Sequence, residues 1–284
     1  MKAQKQDRVR ISFIISIVIS LALLGWWAAV NMAMLSAIIL PPHNFISQTQ
    51  PRLHIKLSIP PASYKPIHYL FFGGKGSYGL IPAKQNLNVR QFSITFWAKS
   101  DGPIHGSFDR PIEILQWVRN YAGVPIAYGW GFDAGDQDKI GIDKLRFTVG
   151  NTLGNLFSAG PVSLSRASWT HIAGTFDGTS LNVYQNGVLI DAFPFKGSYS
   201  YPATALPIQL ATGWLPHHYW AGDLSDIQIY GRPLSRFEIS SIFNGQNETN
   251  GLIAHWALNE GSGILMHDSS GHNNNGVIHN GLWR

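Results

Sequence analysis

Cysteine is absent from all 284 residues, which excludes disulfide staples, thiolate metal sites and a cysteine nucleophile. Charge is also scarce. Asp, Glu, Lys and Arg together make up 13% of the chain, about half of the ~25% usual for soluble domains. Glutamate occurs only as Glu113, Glu238, Glu248 and Glu260. The formal net charge is +5 and no block of Lys or Arg stands out, so nucleic acid is not an expected partner. What the chain does hold is apolar material, 45% of its residues, enough for a real core and too much for a disordered protein. Its 29 glycines and 16 prolines suit many short strands joined by turns.

Residues Ile11 to Leu40 carry no charged side chain, and 24 of these 30 residues are apolar. About 20 such residues span the hydrocarbon layer of a bilayer as a helix, so this run is expected to be a transmembrane signal-anchor. A cleaved signal peptide would have a shorter apolar stretch and a small-residue cleavage site, and no clean site follows here. Lys2, Lys5, Arg8 and Arg10 against Asp7 give the first ten residues a charge of +3, which keeps that tail cytoplasmic and sends the rest across the membrane. Pro41-Pro42 stops the helix, and a Pro-rich stalk follows over 41–66. Within it Leu53, Ile55, Leu57 and Ile59 alternate like a short strand. Removing residues 1–40 leaves the charged fraction at about 13%, so the scarcity belongs to the outer domain as well.

From there the chain reads as strands. Phe92, Ile94, Phe96 and Ala98 alternate with Ser93, Thr95, Trp97 and Lys99, the period of a strand with one buried face. Leu181 and Val183 precede Asn186-Gly187, and Val188 and Ile190 follow. That is a strong hairpin signal, because both turn residues tolerate positive φ. Ile112–Val118, Lys144–Val149, Trp169–Phe176, Pro207–Thr212 and Leu224–Tyr230 are further strand candidates, and their spacing predicts an antiparallel sandwich. A single helix is expected around Leu234, Phe237, Ile239 and Ile242, with Ser235 as its cap, Glu238 three residues on and Gly245 at its end.

Three segments carry a family resemblance. The first is Trp169-Thr-His-Ile-Ala-Gly-Thr-Phe-Asp-Gly178 with Leu181-Asn-Val-Tyr-Gln-Asn-Gly-Val188. The second is Trp220-Ala-Gly-Asp-Leu-Ser-Asp-Ile-Gln-Ile-Tyr230 with the helix after it. The third is Leu252-Ile-Ala-His-Trp-Ala-Leu-Asn-Glu-Gly-Ser-Gly263 with Asp268-Ser-Ser-Gly271. Together they resemble laminin-G-like, concanavalin A-like lectin/glucanase jelly rolls, over roughly residues 67–284. The third segment opens many laminin-G-like domains, whereas here it closes the chain, an order similar to that of pentraxins. The resemblance implies an all-β jelly-roll β-sandwich, and the apolar run of 11–40 is expected to place one transmembrane α-helix before it. Leu252 to Trp283 is expected to pair within its own domain, beside the strand after the stalk, and so to remove an exposed edge. Donation to a neighbouring chain is the rival arrangement.

The same fold hosts glycoside hydrolases with two Glu on one strand face in a Glu-x-Asp-x-Glu run, and this sequence has no such run. Neither does it contain a Gly-x-Ser-x-Gly elbow. No enzyme is therefore expected. Calcium is the metal the resemblance implies, but its acidic pattern is degraded. Gly73-Gly74-Lys75-Gly76 holds no acid, the Trp214–Trp220 loop holds none, and Asp226 follows a serine. Asp133, Asp136 and Asp138, and Asp268 with Asn273, Asn274 and Asn275, are oxygen-rich but equally explained as loops and turns. No cofactor is expected, with Ca2+ left open. What remains is surface recognition, since aromatic rings stack on the apolar faces of sugars. Trp130, Trp214, His217 and Tyr219 are the candidate ligand-binding residues, while Trp220 is expected in the core. The expected function is a single-pass, membrane-anchored extracytoplasmic module that binds a glycan or an envelope protein. The alternative is an accessory subunit of a membrane complex, packed through Ser12, Ser16, Ser20 and Gly25.

Overall fold

The computed structural model describes residues 65–102, 112–118, 128–134, 143–201, 207–213 and 219–284. The anchor stretch Ile11–Leu40 and the alternating Leu53–Ile59 lie outside them. Among the described residues no helix is long and apolar enough to cross a membrane.

Among the described residues, the period-two alternation of Phe92–Ala98 becomes strand, as do the other strand candidates. The strands are β1 (Leu70–Gly73), β2 (Tyr78–Ile81), β3 (Phe92–Ser100), β4 (Ile112–Val118), β5 (Tyr128–Ala134), β6 (Lys144–Gly150), β7 (Leu156–Ser163) and β8 (Thr170–Phe176). They continue as β9 (Ser180–Gln185), β10 (Val188–Pro194), β11 (Ile208–Leu210), β12 (Ala221–Tyr230), β13 (Leu252–Trp256), β14 (Leu265–Met266), β15 (Gly276–His279) and β16 (Leu282–Trp283). One sheet runs β10-β9-β8-β3-β12-β1-β16, with β13 also on β12, and will be called the β12 sheet. The other, the β2 sheet, runs β14-β15-β2-β11-β4-β5-β6-β7. Each turns one face inward to a shared core, as an antiparallel sandwich requires.

The inward residues of β3 are those the alternation selected, Phe92, Ile94, Phe96 and Ala98, all buried. Phe96 meets Phe132 of β5 edge-on at 4.9 Å, and Phe132 stacks on Phe147 of β6 at 5.0 Å. Fully burying such a side chain contributes about 2–3 kcal/mol. Gly174 of β8 lies under this trio. A Cβ there would stand 2.8 Å from Phe147 and 2.9 Å from Phe132, so only glycine lets the rings close over the strand. Asn186 and Gly187 take φ of 50° and 78°, the two left-handed residues of the expected tight turn between β9 and β10.

The helix α1 (Arg236–Phe243) carries the full capping box. The Glu238 N–H donates to Ser235 Oγ at 3.3 Å, and the Ser235 N–H donates to Glu238 Oε2 at 2.7 Å. Its buried side chains are Ile239, Ile242 and Phe243, packed on the outer face of the β12 sheet, where Ala173, Tyr184 and Tyr230 receive it. Phe237, expected on that face, is 70% exposed. Two residues of helix turn it about 200° away from Ile239, and Phe243 takes the inward place instead.

The stretch Leu252–Trp283 pairs in cis, as expected. It reaches both sheets: β13 lies on β12, β15 on β2 and β16 on β1. Leu70 faces Trp283, and the backbones of Tyr69 and Arg284 exchange two hydrogen bonds of 2.9 Å. β12 is the strand where these threads meet. Its first half pairs with β1 (Leu224↔Leu70), its second half with β13 (Ile227↔Trp256), and a bulge at Asp226, φ 50°, separates the two.

Candidate functional site

Of the four side chains expected at a ligand, Trp214 and His217 lie outside the described residues. Trp130 on β5 is 3% exposed and packs against Phe92, so its ring is part of the core and offers no open face. The alternation of β5 turns Trp130 and Phe132 inward together. Trp220 is buried, as expected. Tyr219 stands elsewhere. It is half-buried and forms a backbone bridge with Thr212, held in place by Ala211, whose φ of 56° kinks the chain just after β11.

Tyr219 is one end of an aromatic column. Its ring lies over that of Tyr78 with centroids 6.1 Å apart and planes inclined by 23°. Tyr78 in turn stacks on His279 at 4.5 Å and 20°. Tyr78 and His279 are register partners across β2 and β15, so adjacent strands present their rings side by side on the outer face of the β2 sheet. Nothing in the spacing along the chain joins residues so far apart, and only the register of β15 does so.

Beside the column the same face is polar. Leu80, Gln209, Gln116, Gly131, Thr148 and Ser158 are successive register partners from β2 to β7. Gln116 Nε2 donates to Gln209 Oε1 at 2.8 Å and to Thr212 O at 3.2 Å, tying this row to the residue that bridges Tyr219. One step along, Asp133 Oδ2 accepts from Thr148 Oγ1 at 2.6 Å and from Arg146 Nε at 3.2 Å. Gln116 Oε1 and Asp133 Oδ1 are buried with no hydrogen-bond partner among the described residues. An unpaired buried acceptor costs about 1–3 kcal/mol, and at 0% and 4% exposure neither residue is open to a ligand. Asp133 and Arg146 pair with each other and, like Gln116, Thr148 and Ser158, are buried, so this row is a closed polar layer and not an open surface.

Two concavities lie away from the column. One, of about 700 Å³, is walled by Val89–Gln91, Gly178, Gly197–Tyr199, Tyr201 and Gly231. Its Tyr199 is committed to the core against Phe92 and Phe176. Burial accordingly pushes that hydroxyl well above its ordinary pKa. The other, of about 290 Å³, opens on the outer face of the β12 sheet at the Asp226 bulge. There Asp226 Oδ1 lies 2.7 Å from His255 Nε2, and His255 Nδ1 lies 2.9 Å from Ser269 Oγ. Burial by itself would raise the Asp226 carboxyl. Hydrogen bonds from His255 and Gln228 outweigh it and hold the group below the usual carboxylate range. The trio has the atoms of a serine–histidine–aspartate relay without its placement. Ser269 is not in the cavity wall, its N–H is given to His255 O at 2.8 Å, and its hydroxyl lies 3.2 Å from the same oxygen. It braces β13. His255 and Ser269 both sit in the third of the segments that suggested the fold, and their meeting could not be read from spacing.

The donors needed for calcium do not assemble. Among the described residues no three His, Asp or Glu side chains converge. Asp268 spends both oxygens on the backbone N–H groups of His255, Ser270 and Asn274, which is turn chemistry. Asp136 and Asp138 lie outside the described residues. Calcium wants six to eight oxygens, and the described carboxylates do not fit it.

A profile of the concanavalin A-like lectin/glucanases superfamily matches residues 72–240, more than half of the chain. The chain belongs to that superfamily. Among solved structures, this concanavalin A-like sandwich is similar to a Bacteroides ovatus protein described as carbohydrate-binding. The TM-score is 0.58 at 13% identity, over 76% of this chain and 59% of that one. It therefore spans less than two thirds of that relative's length. It is also similar to the heptameric SAP-like pentraxin of Limulus polyphemus (TM-score 0.40, 17% identity, 65% of this chain, 83% of that one). A third likeness is to the binding domain of Botulinum Neurotoxin DC, solved with SialylT (TM-score 0.47, 17% identity, 74% and 50%). No curated protein matches it in sequence.

Proposed function

We propose that the chain is a non-catalytic recognition module that holds a carbohydrate against the aromatic column of the β2 sheet. The observation that carries this reading is the stacking of Tyr219, Tyr78 and His279 on the outer face of the β2 sheet. Sugar rings present an apolar C–H face and a rim of hydroxyls. The column ends, among the described residues, in a Tyr219 face and a His279 face with no further ring upon them. Membership of a superfamily of lectins and glucanases supports the ligand class, as does the description of the Bacteroides ovatus protein. The absence of a Glu-x-Asp-x-Glu run favours binding over hydrolysis.

In this reading residues 11–40 anchor the module in a membrane with the basic N-terminal tail in the cytoplasm, and the sandwich acts on the far side. Protease shaving of intact cells tests that placement, since an accessible sandwich supports it and a protected one refutes it. Glycan-array binding by the purified chain tests the ligand. Tyr219→Ala should weaken the bound glycans by about ten-fold or more, the loss expected of one stacking ring in a contact of this kind. Unchanged binding in Tyr219→Ala and His279→Ala removes the column from the account. Extraction of the protein in a stoichiometric complex would favour the accessory-subunit role instead.

A further inference from the structure

We infer that the cavity at the Asp226 bulge is a second ligand site, separate from the aromatic column and shaped for a single neutral polyol of hexose size. The cavity follows from the topology. β12 exchanges one neighbour for another between Leu224 and Ile227, and the strand ladder is interrupted where β1 has ended and β13 has not begun. Into this gap the bulge carries Asp226 in a left-handed conformation, φ 50°, which is unfavourable for a residue with a side chain. Ser225 and Gln228 of β12, the C-terminal end of α1 and its following turn, and the entering segment at Pro66–His68 wall the space.

The lining selects the ligand. Asp226 is fixed by two donors on one oxygen, His255 Nε2 at 2.7 Å and Gln228 Nε2 at 2.9 Å, while Oδ2 takes none among the described residues. Gln228 is itself held, because the Tyr230 hydroxyl donates to its Oε1. A rigid acceptor therefore faces the cavity. The amides of Gln246, Asn247 and Asn259 line the same space and make no side-chain hydrogen bond to described residues. Ile67, 81% exposed, and Ile242 supply apolar wall. An anion would be repelled by Asp226, and for a metal the His68, Asp226 and His255 side chains of the wall do not converge. An organic cation would meet one carboxylate already shared by two donors, with no second acid in the wall. A polyol satisfies the set. Its hydroxyls donate to Asp226 Oδ2 and accept from the amide N–H groups, and its C–H face lies on the isoleucines. About 290 Å³ is at the small end of ligand pockets, which suits one ring and not an oligosaccharide.

The test is titration of the full chain in detergent with glucose, galactose, mannose, N-acetylglucosamine and sorbitol, followed by saturation-transfer NMR and calorimetry. At least one of these is expected to bind in the millimolar range. Asp226→Asn should weaken it by about ten-fold or more, as loss of a hydrogen bond to a charged group does. Asn247→Ala combined with Asn259→Ala, two exposed positions whose loss leaves the fold intact, should weaken it several-fold, and Tyr219→Ala should not. The reverse pattern, loss in Tyr219→Ala with both cavity variants unaffected, overturns this site while leaving the column reading in place. Absence of binding to all five probes at about 50 mM also overturns it. Binding of choline, weakened by Asp226→Asn, with no binding of the polyols would do the same and assign the cavity to a cation.

Discussion

Acidification should loosen this protein through one residue, His171. The imidazole sits on the outer face of β8 beneath α1, between Trp97 (5.1 Å) and Phe243 (6.0 Å), and neither ring nitrogen has a hydrogen-bond partner among the described residues. Burial lowers its pKa from 6.5 to about 4, against the opposing pull of the Asp226 carboxylate. The sign follows from linkage. Below pH 6.5 the unfolded chain takes up a proton that the folded chain refuses until about pH 4, so stability falls as pH falls across that interval. Each pH unit there removes about 1.4 kcal/mol, which gives about 3 kcal/mol in all, a large part of the 5–15 kcal/mol typical of a domain. Asp177, Asp226, Asp268 and Glu238 are all held below their ordinary values, so these carboxylates stay ionised through most of the interval. The assay is denaturant unfolding followed by tryptophan fluorescence between pH 7.5 and pH 4.5, on the native chain and on His171→Leu. Leucine is close in size, does not titrate and leaves no orphaned nitrogen. The variant should lose the slope between pH 6.5 and pH 4 and should be no less stable at pH 7.5. Equal slopes in the two proteins would refute the argument.

Three further outcomes are expected. Gly174→Ala forces a methyl group against Phe147 and Phe132 and should cost about 1–3 kcal/mol, seen as a lower unfolding midpoint with unchanged m-value. Ser235→Ala removes half of the capping box and should cost about 1 kcal/mol. Glu238, whose carboxyl is held at about 2 chiefly by its hydrogen bond from Arg232, should then titrate closer to its ordinary value in an NMR pH series. Ending the chain at Gly251 strips β13 and β16 from the β12 sheet and β15 from β2, and should yield insoluble protein. A soluble, cooperatively unfolding truncate would show that these strands are dispensable.

The strands and the hairpin turn were legible because they depend on local pattern. Phe92 to Ala98 could only alternate, and Asn186-Gly187 could hardly be anything but a tight turn. Phe237 misled because apolar character was counted without its angle on the helix. Trp130 misled because a tryptophan after Tyr-Gly reads the same whether its ring turns inward or outward, and the inward parity is set by Phe132 two residues on. The column and the bulge cavity were hidden for a different reason. Tyr78 and His279 are neighbours only because β15 returns beside β2, and Asp226 meets His255 only where β12 changes partner. Register between distant strands is a property of the assembled sheets, and spacing along the chain does not encode it.

The pairing of β1 with both β12 and β16 also has a kinetic meaning. Leu70 must find Leu224 and Trp283, so closing the first strand into its sheet demands loops of well over a hundred residues and a high contact order. During synthesis the hairpin of β8, β9 and β10 can form early from nearby sequence. The edge of β1 waits, unpaired, until the final strand arrives. That interval is when the chain is most open to sticking to other chains, and it makes the arrival of residues 282–284 the step that ends the exposure.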